Sequence, residues 1–141
     1  MGVTVKAPFH LAFPIRDIES SRTFYRDVLG CSIGRESDHW IDIDFFGNQI
    51  SGHVTQVVEP VTTTEVDGID VPLRHLGALL DRPTWDDLRE RITSHGVEFL
   101  IPPTVRYEGK PGEQATMFIQ DPSGNGIEFK TFTDADEVFV S

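Results

Sequence analysis

Cysteine is almost missing from this sequence: Cys31 stands alone, so no intramolecular disulfide can form and no thiolate metal cluster is on offer. Long apolar runs are missing as well, and the short ones present exclude a membrane-spanning helix. Positive charge is scarce. Twelve Lys and Arg stand against 23 Asp and Glu, and the formal net charge of −11 argues against nucleic acid and anionic membranes, whose phosphates it would repel. The opening MGVTVKAPFH lacks the basic segment and apolar run of a secretory signal. Lys6 stands where a myristoylation pattern needs Ser or Thr. A cytoplasmic protein is expected.

What is present suits a globular chain. With 141 residues, 38% hydrophobic, there is enough sequence for one compact domain with a proper core. Nine prolines and twelve glycines are spread along it at expected turns.

The order strand, helix, three strands reads twice. Residues 8–14, FHLAFPI, read as a strand, and Asp17 caps a helix with Ile18, Ser21, Tyr25, Val28 and Leu29 facing inward and Gly30 at its end. CSIG is a short strand. WIDIDFF alternates apolar and acidic residues with a period of two, Gly47-Asn48 turns the chain, and QISGHVTQVV returns. After a linker at about 59–70, VPLRHLGALL (71–80) opens the second copy. Thr84 is the expected cap of its helix, with Trp85, Leu88 and Ile92 on one face and Gly96 at the end. VEFLI is the next strand, closed by Pro102-Pro103. A polar excursion, TVRYEGKPGEQ, precedes the hairpin ATMFIQ-DPSGN-GIEFKTF. The copies share local sequence as well as order. His10-Leu11-Ala12 matches His75-Leu76-Gly77, and Gly47-Asn48-Gln49-Ile50 matches Gly124-Asn125-Gly126-Ile127, which points to duplication.

FHLAFPIRDIESSRTFYRDVLGCSIG, the RHLGAL strand and FIQDPSGNGIEFK together resemble the vicinal-oxygen-chelate superfamily, which includes glyoxalase I, fosfomycin- and bleomycin-resistance proteins and type I extradiol dioxygenases. The resemblance spans roughly residues 8–132. It implies an α+β domain over 1–141 in which two βαβββ modules, at about 8–58 and 71–132, curl a partly closed mixed sheet around a divalent metal, with helices packed outside.

Strand alternation then sorts the side chains. His10, Ala12 and Pro14 share a face; so do His75, Gly77 and Leu79; so do Gly126, Glu128 and Lys130. The large apolar residues suit packing under the helices, which leaves His10, His75 and Glu128 for a concave interior, where the resemblance implies that they are the metal ligands. Two imidazoles and a carboxylate with open positions are the set associated with non-haem Fe(II), although Mn, Zn or Ni can use it. A salt bridge to Arg74 or Lys130 is the rival role for Glu128. Ser51 aligns with Glu128 where glyoxalase I has a carboxylate, so a three-ligand site is favoured. His53, two residues on, is a fourth ligand, a proton acceptor for bound substrate, or a structural histidine. Gln49 shares that face. Arg106 and Tyr107 are either substrate contacts on a glycine-bearing flap or part of an ordinary surface loop.

Three functions remain open. The first is an extradiol-dioxygenase-like enzyme on a small substrate that chelates the metal through vicinal oxygens. The second is a glyoxalase-like lyase or isomerase using Ni, Zn or Mn. The third is a bleomycin-resistance-type binding protein without catalysis. A homodimer is expected, with modules paired within a chain or across two.

Overall fold

The structure, a computed structural model, describes residues 6–56 and 62–141. Residues 57–61, where the first module was expected to give way to the linker, lie outside the described residues. The chain divides into two compact units, Met1–Val58 and Glu59–Ser141.

The first unit holds β1 (His10–Ile15), α1 (Ile18–Thr23, continued by a π-helical stretch over Phe24–Val28), β2 (Ser32–Glu36), β3 (Trp40–Phe45) and β4 (Asn48–Val54). Its sheet order is β1-β4-β3-β2, with β1 parallel to β4 and the other pairs antiparallel. The Asp17 carboxylate accepts the Ser20 N–H at 2.7 Å, satisfying a donor that the first helical turn leaves free. The inward face carries Ser21, Phe24, Tyr25, Val28 and Leu29; Phe24 joins the expected stripe, and Ile18 is only half-buried. Tyr25 is fully buried and meets Phe13, Phe24 and Phe45 edge to face with ring centroids 5.2–6.5 Å apart. Phe46 and Gly47, at φ 51° and 86°, make the turn between β3 and β4 one residue earlier than Gly47-Asn48 suggested.

The second unit holds β5 (Thr63–Val66), β6 (Ile69–Pro72), β7 (His75–Leu79), α2 (Arg82–Ser94), β8 (Ile101–Arg106), β9 (Gln114–Gln120) and β10 (Gly126–Phe132). Its main sheet runs β7-β10-β9-β8, with β7 parallel to β10, repeating the plan of the first. Two βαβββ modules in an α+β chain are what the internal repeat implied. Trp85, Leu88 and Ile92 of α2 are buried, and the Trp85 indole donates to the Phe129 carbonyl at 3.1 Å, which ties the helix to β10.

Three local expectations are corrected. The α2 cap is Asp81, which accepts the Thr84 N–H at 2.9 Å; Pro83, which has no N–H to satisfy, fits the first turn after it. The expected linker and the first residues of the expected strand 71–80 form a hairpin, β5 and β6, about Asp67-Gly68, at φ 51° and 78°, and the strand that opens the second copy begins only at His75. β8 begins at Ile101, where a strand was expected to end. Pro102 and Pro103 are tolerated because β8 lies at the sheet edge, where its register against β9 shifts between Ile101 and Thr104.

Candidate functional site

The register of β7 on β10 pairs His75 with Gly126 and Gly77 with Glu128. That register turns His75, Glu128 and Lys130 to one face, as strand alternation required. His75 Nε2 lies 3.7 Å from Glu128 Oε1. This is too long for a hydrogen bond, but two donors bound at about 2.1 Å to one ion stand roughly 3.0–3.4 Å apart. Few tenths of an ångström separate the pair from bidentate capture of a metal.

The ring of His75 is oriented by its other nitrogen. Nδ1 donates to the Pro72 carbonyl at 2.8 Å, which in the neutral imidazole leaves the Nε2 lone pair facing Glu128. Phe118 meets the ring edge to face, with centroids 4.9 Å apart at 69°. Phe118 is itself fixed by a small core of Val71 and Ile101, against which Val66, Ile69 and Leu100 pack. The hairpin hidden in the expected linker thus positions a candidate ligand twice, through the carbonyl of Pro72 and through Phe118. Gly126 leaves room for the imidazole, since a Cβ there would lie 3.0 Å from His75 Cβ.

A cavity of about 220 Å³ opens here, lined by His75, Glu128 and Lys130 and by Leu76, Gly77, Ala78 and Leu79 of β7. Lys130 Nζ stands 3.8 Å from Glu128 Oε1. The rival salt-bridge role of Glu128 is therefore present as a long contact to Lys130, and the same carboxylate oxygen faces His75.

The first unit repeats the geometry with different chemistry. His10 pairs with Gln49 as His75 pairs with Gly126, so Ser51 holds the station of Glu128, and His53 that of Lys130. His10, Gln49 and His53 are exposed, and Ser51 is buried. The Ser51 hydroxyl donates to Asp42 Oδ1 at 2.6 Å across the β3–β4 pair. Among the described residues, no three His, Cys, Asp or Glu side chains gather closely enough to hold an ion. His75 and Glu128 are brought together; His10 belongs to the other unit.

Arg106 ends β8 and donates to Asp67 Oδ2 at 2.7 Å, while its Nε is buried without a hydrogen-bond partner. Tyr107 follows it, exposed and at φ 55°. The excursion beyond is tied down, unlike a free flap. The Glu113 carboxylate accepts from Gly109 N–H at 2.8 Å and from the Thr133 hydroxyl at 2.6 Å, and Gly112 N–H donates to Glu137 at 2.7 Å. Those contacts, the Gly109 amide foremost, hold the Glu113 carboxyl below its usual range. Cys31 is buried, and His95 hydrogen-bonds the Arg91 carbonyl at the end of α2.

Sequence reasoning missed Pro72 and Phe118, and it put Asp42 on a solvated or hydrogen-bonded face without finding its partner Ser51. The first two act through a hairpin, whose one legible sign was Asp-Gly between alternating residues. The partner of Asp42 could be found only by knowing the register that sets it against Ser51.

Comparison with known proteins identifies the family and the fold. Among curated proteins none matches the chain. A solved glyoxalase/bleomycin resistance protein/dioxygenase from Alicyclobacillus acidocaldarius is 31% identical, with 94% of this chain and 96% of that one covered and a TM-score of 0.81. The fosfomycin resistance protein FosX from Listeria monocytogenes shares the fold at 16% identity, covering 95% and 98% of the two chains with a TM-score of 0.70. The virulence protein STM3117 from Salmonella typhimurium does so at 23% identity, covering 93% and 100% with a TM-score of 0.65. The family profile described as the Glyoxalase/Bleomycin resistance protein/Dioxygenase superfamily matches residues 8–129. With its repeated βαβββ plan and its histidine and glutamate on adjoining parallel strands, the chain belongs to that superfamily, the vicinal-oxygen-chelate proteins.

Proposed function

We propose that this protein is a divalent-metal enzyme of the extradiol-dioxygenase-like kind, acting on a small substrate with vicinal oxygens, and that His10, His75 and Glu128 are the ligands. The observation that carries the reading is the His75–Glu128 pair, 3.7 Å apart, with the imidazole locked to Pro72 so that Nε2 faces the carboxylate. A histidine oriented through its far nitrogen is a recurrent feature of metal sites. Fe(II) is the favoured ion for two imidazoles and a carboxylate. Bound there, it would supply Lewis-acid stabilisation of the substrate oxygens and a binding position for O₂.

The three-ligand form is favoured over a glyoxalase I-like four-ligand form by Ser51, which is buried and hydrogen-bonded to Asp42 at the station a fourth ligand would take. His53 is the acid–base group of the reading. It holds on the first sheet the station from which Lys130 reaches the neighbouring carboxylate on the second. Gln49 shares its face, and Arg106 and Tyr107 serve as outer substrate contacts.

The test is metal uptake followed by turnover. Protein purified without added metal and titrated with Fe(II) under argon is expected to bind one ion per chain. His75→Ala and Glu128→Ala should each weaken uptake at least about tenfold, the range seen when metal-site residues are removed, and His10→Ala should do the same. The Fe(II) form should consume oxygen with a member of a catechol panel, and His53→Gln should slow that reaction without loss of iron. Uptake without oxygen consumption, joined to anaerobic isomerisation of a hydroxycarbonyl substrate, would move the assignment to the lyase or isomerase class. No uptake, with small-molecule binding unaffected by His10→Ala, would move it to a binding protein.

A further inference from the structure

Lys130 brings a cation into the cavity of a chain with 23 Asp and Glu against 12 Lys and Arg. Of the seven lining residues, only His75, Glu128 and Lys130 carry polar side chains; the others are apolar or glycine. The ammonium is partly exposed and stands 3.8 Å from Glu128, beyond the range of a tight charged hydrogen bond. So long and partly solvated a pair holds its cation weakly.

The electrostatics change once Glu128 is engaged by a divalent ion, and the inference rests on the metal reading above. A doubly charged ion held by the neutral imidazole of His75 and the Glu128 carboxylate leaves one net positive charge. Beside it the Lys130 ammonium is repelled from Glu128 and left without its counter-charge. The stem of Lys130 keeps the ammonium on the cavity wall, while the head is free to turn toward an occupant. A ligand without a further acidic group would leave this second positive charge without a counter-charge. A ligand with an acidic group beyond its chelating oxygens answers it.

We propose that Lys130 selects substrates that carry a carboxylate or comparable acidic group in addition to the vicinal oxygens, as a substrate-binding residue distinct from the metal ligands.

Two probes isolate that claim: catechol and 3,4-dihydroxybenzoate have the same vicinal oxygens and differ by one carboxylate. Their affinities for Mn(II)-loaded protein, measured anaerobically by calorimetry, are expected to favour the acid by about tenfold or more, with the preference falling as salt is raised. Lys130→Gln should bring the ratio near one by weakening the acid more than catechol, and Lys130→Arg should keep the preference. Lys130→Met, which preserves the apolar stem, serves as a second neutral variant should the glutamine form fold poorly. An acid that binds no better than catechol to the wild type, or a preference that survives in the neutral variants, overturns the proposal. Absence of Mn(II) uptake in the wild type, read first in the same titration, is a separate result and overturns the metal reading on which the proposal stands.

Discussion

At Gly77 a Cβ would overlap the carbonyl oxygen of Glu128 and lie 2.8 Å from its carbonyl carbon. The backbone of β7 therefore approaches β10 closely at the pair Gly77–Glu128, and only a residue without a side chain allows it. Because His75 is two residues upstream, that approach also sets its distance to Glu128. Gly77→Ala should force the strands apart and destabilise the fold by about 1–3 kcal/mol, the usual cost of overpacking. Metal affinity should fall with it. Urea denaturation and a Mn(II) titration of the same variant check both effects, and a variant unchanged in either contradicts this account. The sequence shows this residue as the small member of a repeated His-Leu-small triplet. Its counterpart in the first unit is Ala12, which faces Ser51 and not a glutamate. Residue types and alternation were thus enough to put His75 and Glu128 on one face. The carbonyl that orients His75 and the hydroxyl bond that occupies Ser51 were not legible, because both depend on backbone positions set by distant strands.

Elements were legible where a periodic pattern met a chemical stop signal. Asp17, the buried stripe of α1 and Gly30 form such a set, and they stand where they were expected. The Ser20 backbone and hydroxyl bonds hold the Asp17 carboxyl below its usual pKa. A carboxyl with a depressed folded-state value contributes stability that is present above the ordinary carboxyl range and is lost as pH falls through the lower folded value. Asp17→Ala should therefore cost about 1 kcal/mol at neutral pH, as removal of a helix cap does. The difference between variant and wild type should shrink below about pH 4, where the unfolded carboxyl takes up its proton. Urea midpoints collected across pH 2–7 read that convergence, and a difference that stays constant across the range counts against the cap. Where stop signals conflicted with position, the elements were misread. Pro102-Pro103 closes a central strand but is admissible on the edge strand β8, and strand order was not visible in the sequence. Asp67-Gly68 signals a hairpin, yet the surrounding Thr, Val and Pro residues read as a linker because the apolar partners of Val66 and Ile69 lie across the unit at Leu100, Ile101 and Phe118.

For the molecule as a whole, the proposed ligand set has one consequence that neither unit shows alone. Glu128 and His75 lie in Glu59–Ser141, and His10 lies in Met1–Val58. Were an ion bound by all three, its binding free energy would stabilise both units. At a free metal concentration a hundred times the dissociation constant, that stabilisation is about 2.7 kcal/mol. Amide exchange can divide the effect between units, because protection reports the free energy of opening at each element. Metal is expected to slow exchange in β1 and β4 as well as in β7 and β10. His10→Ala should abolish the gain in β1 and β4 while leaving a smaller gain in β7 and β10 from the remaining pair. If metal protects only the second unit in the wild type, the ion is held by His75 and Glu128 without His10. The ligand set would then be two residues short of the four that a closed tetrahedral site requires, and solvent or substrate would have to supply the rest.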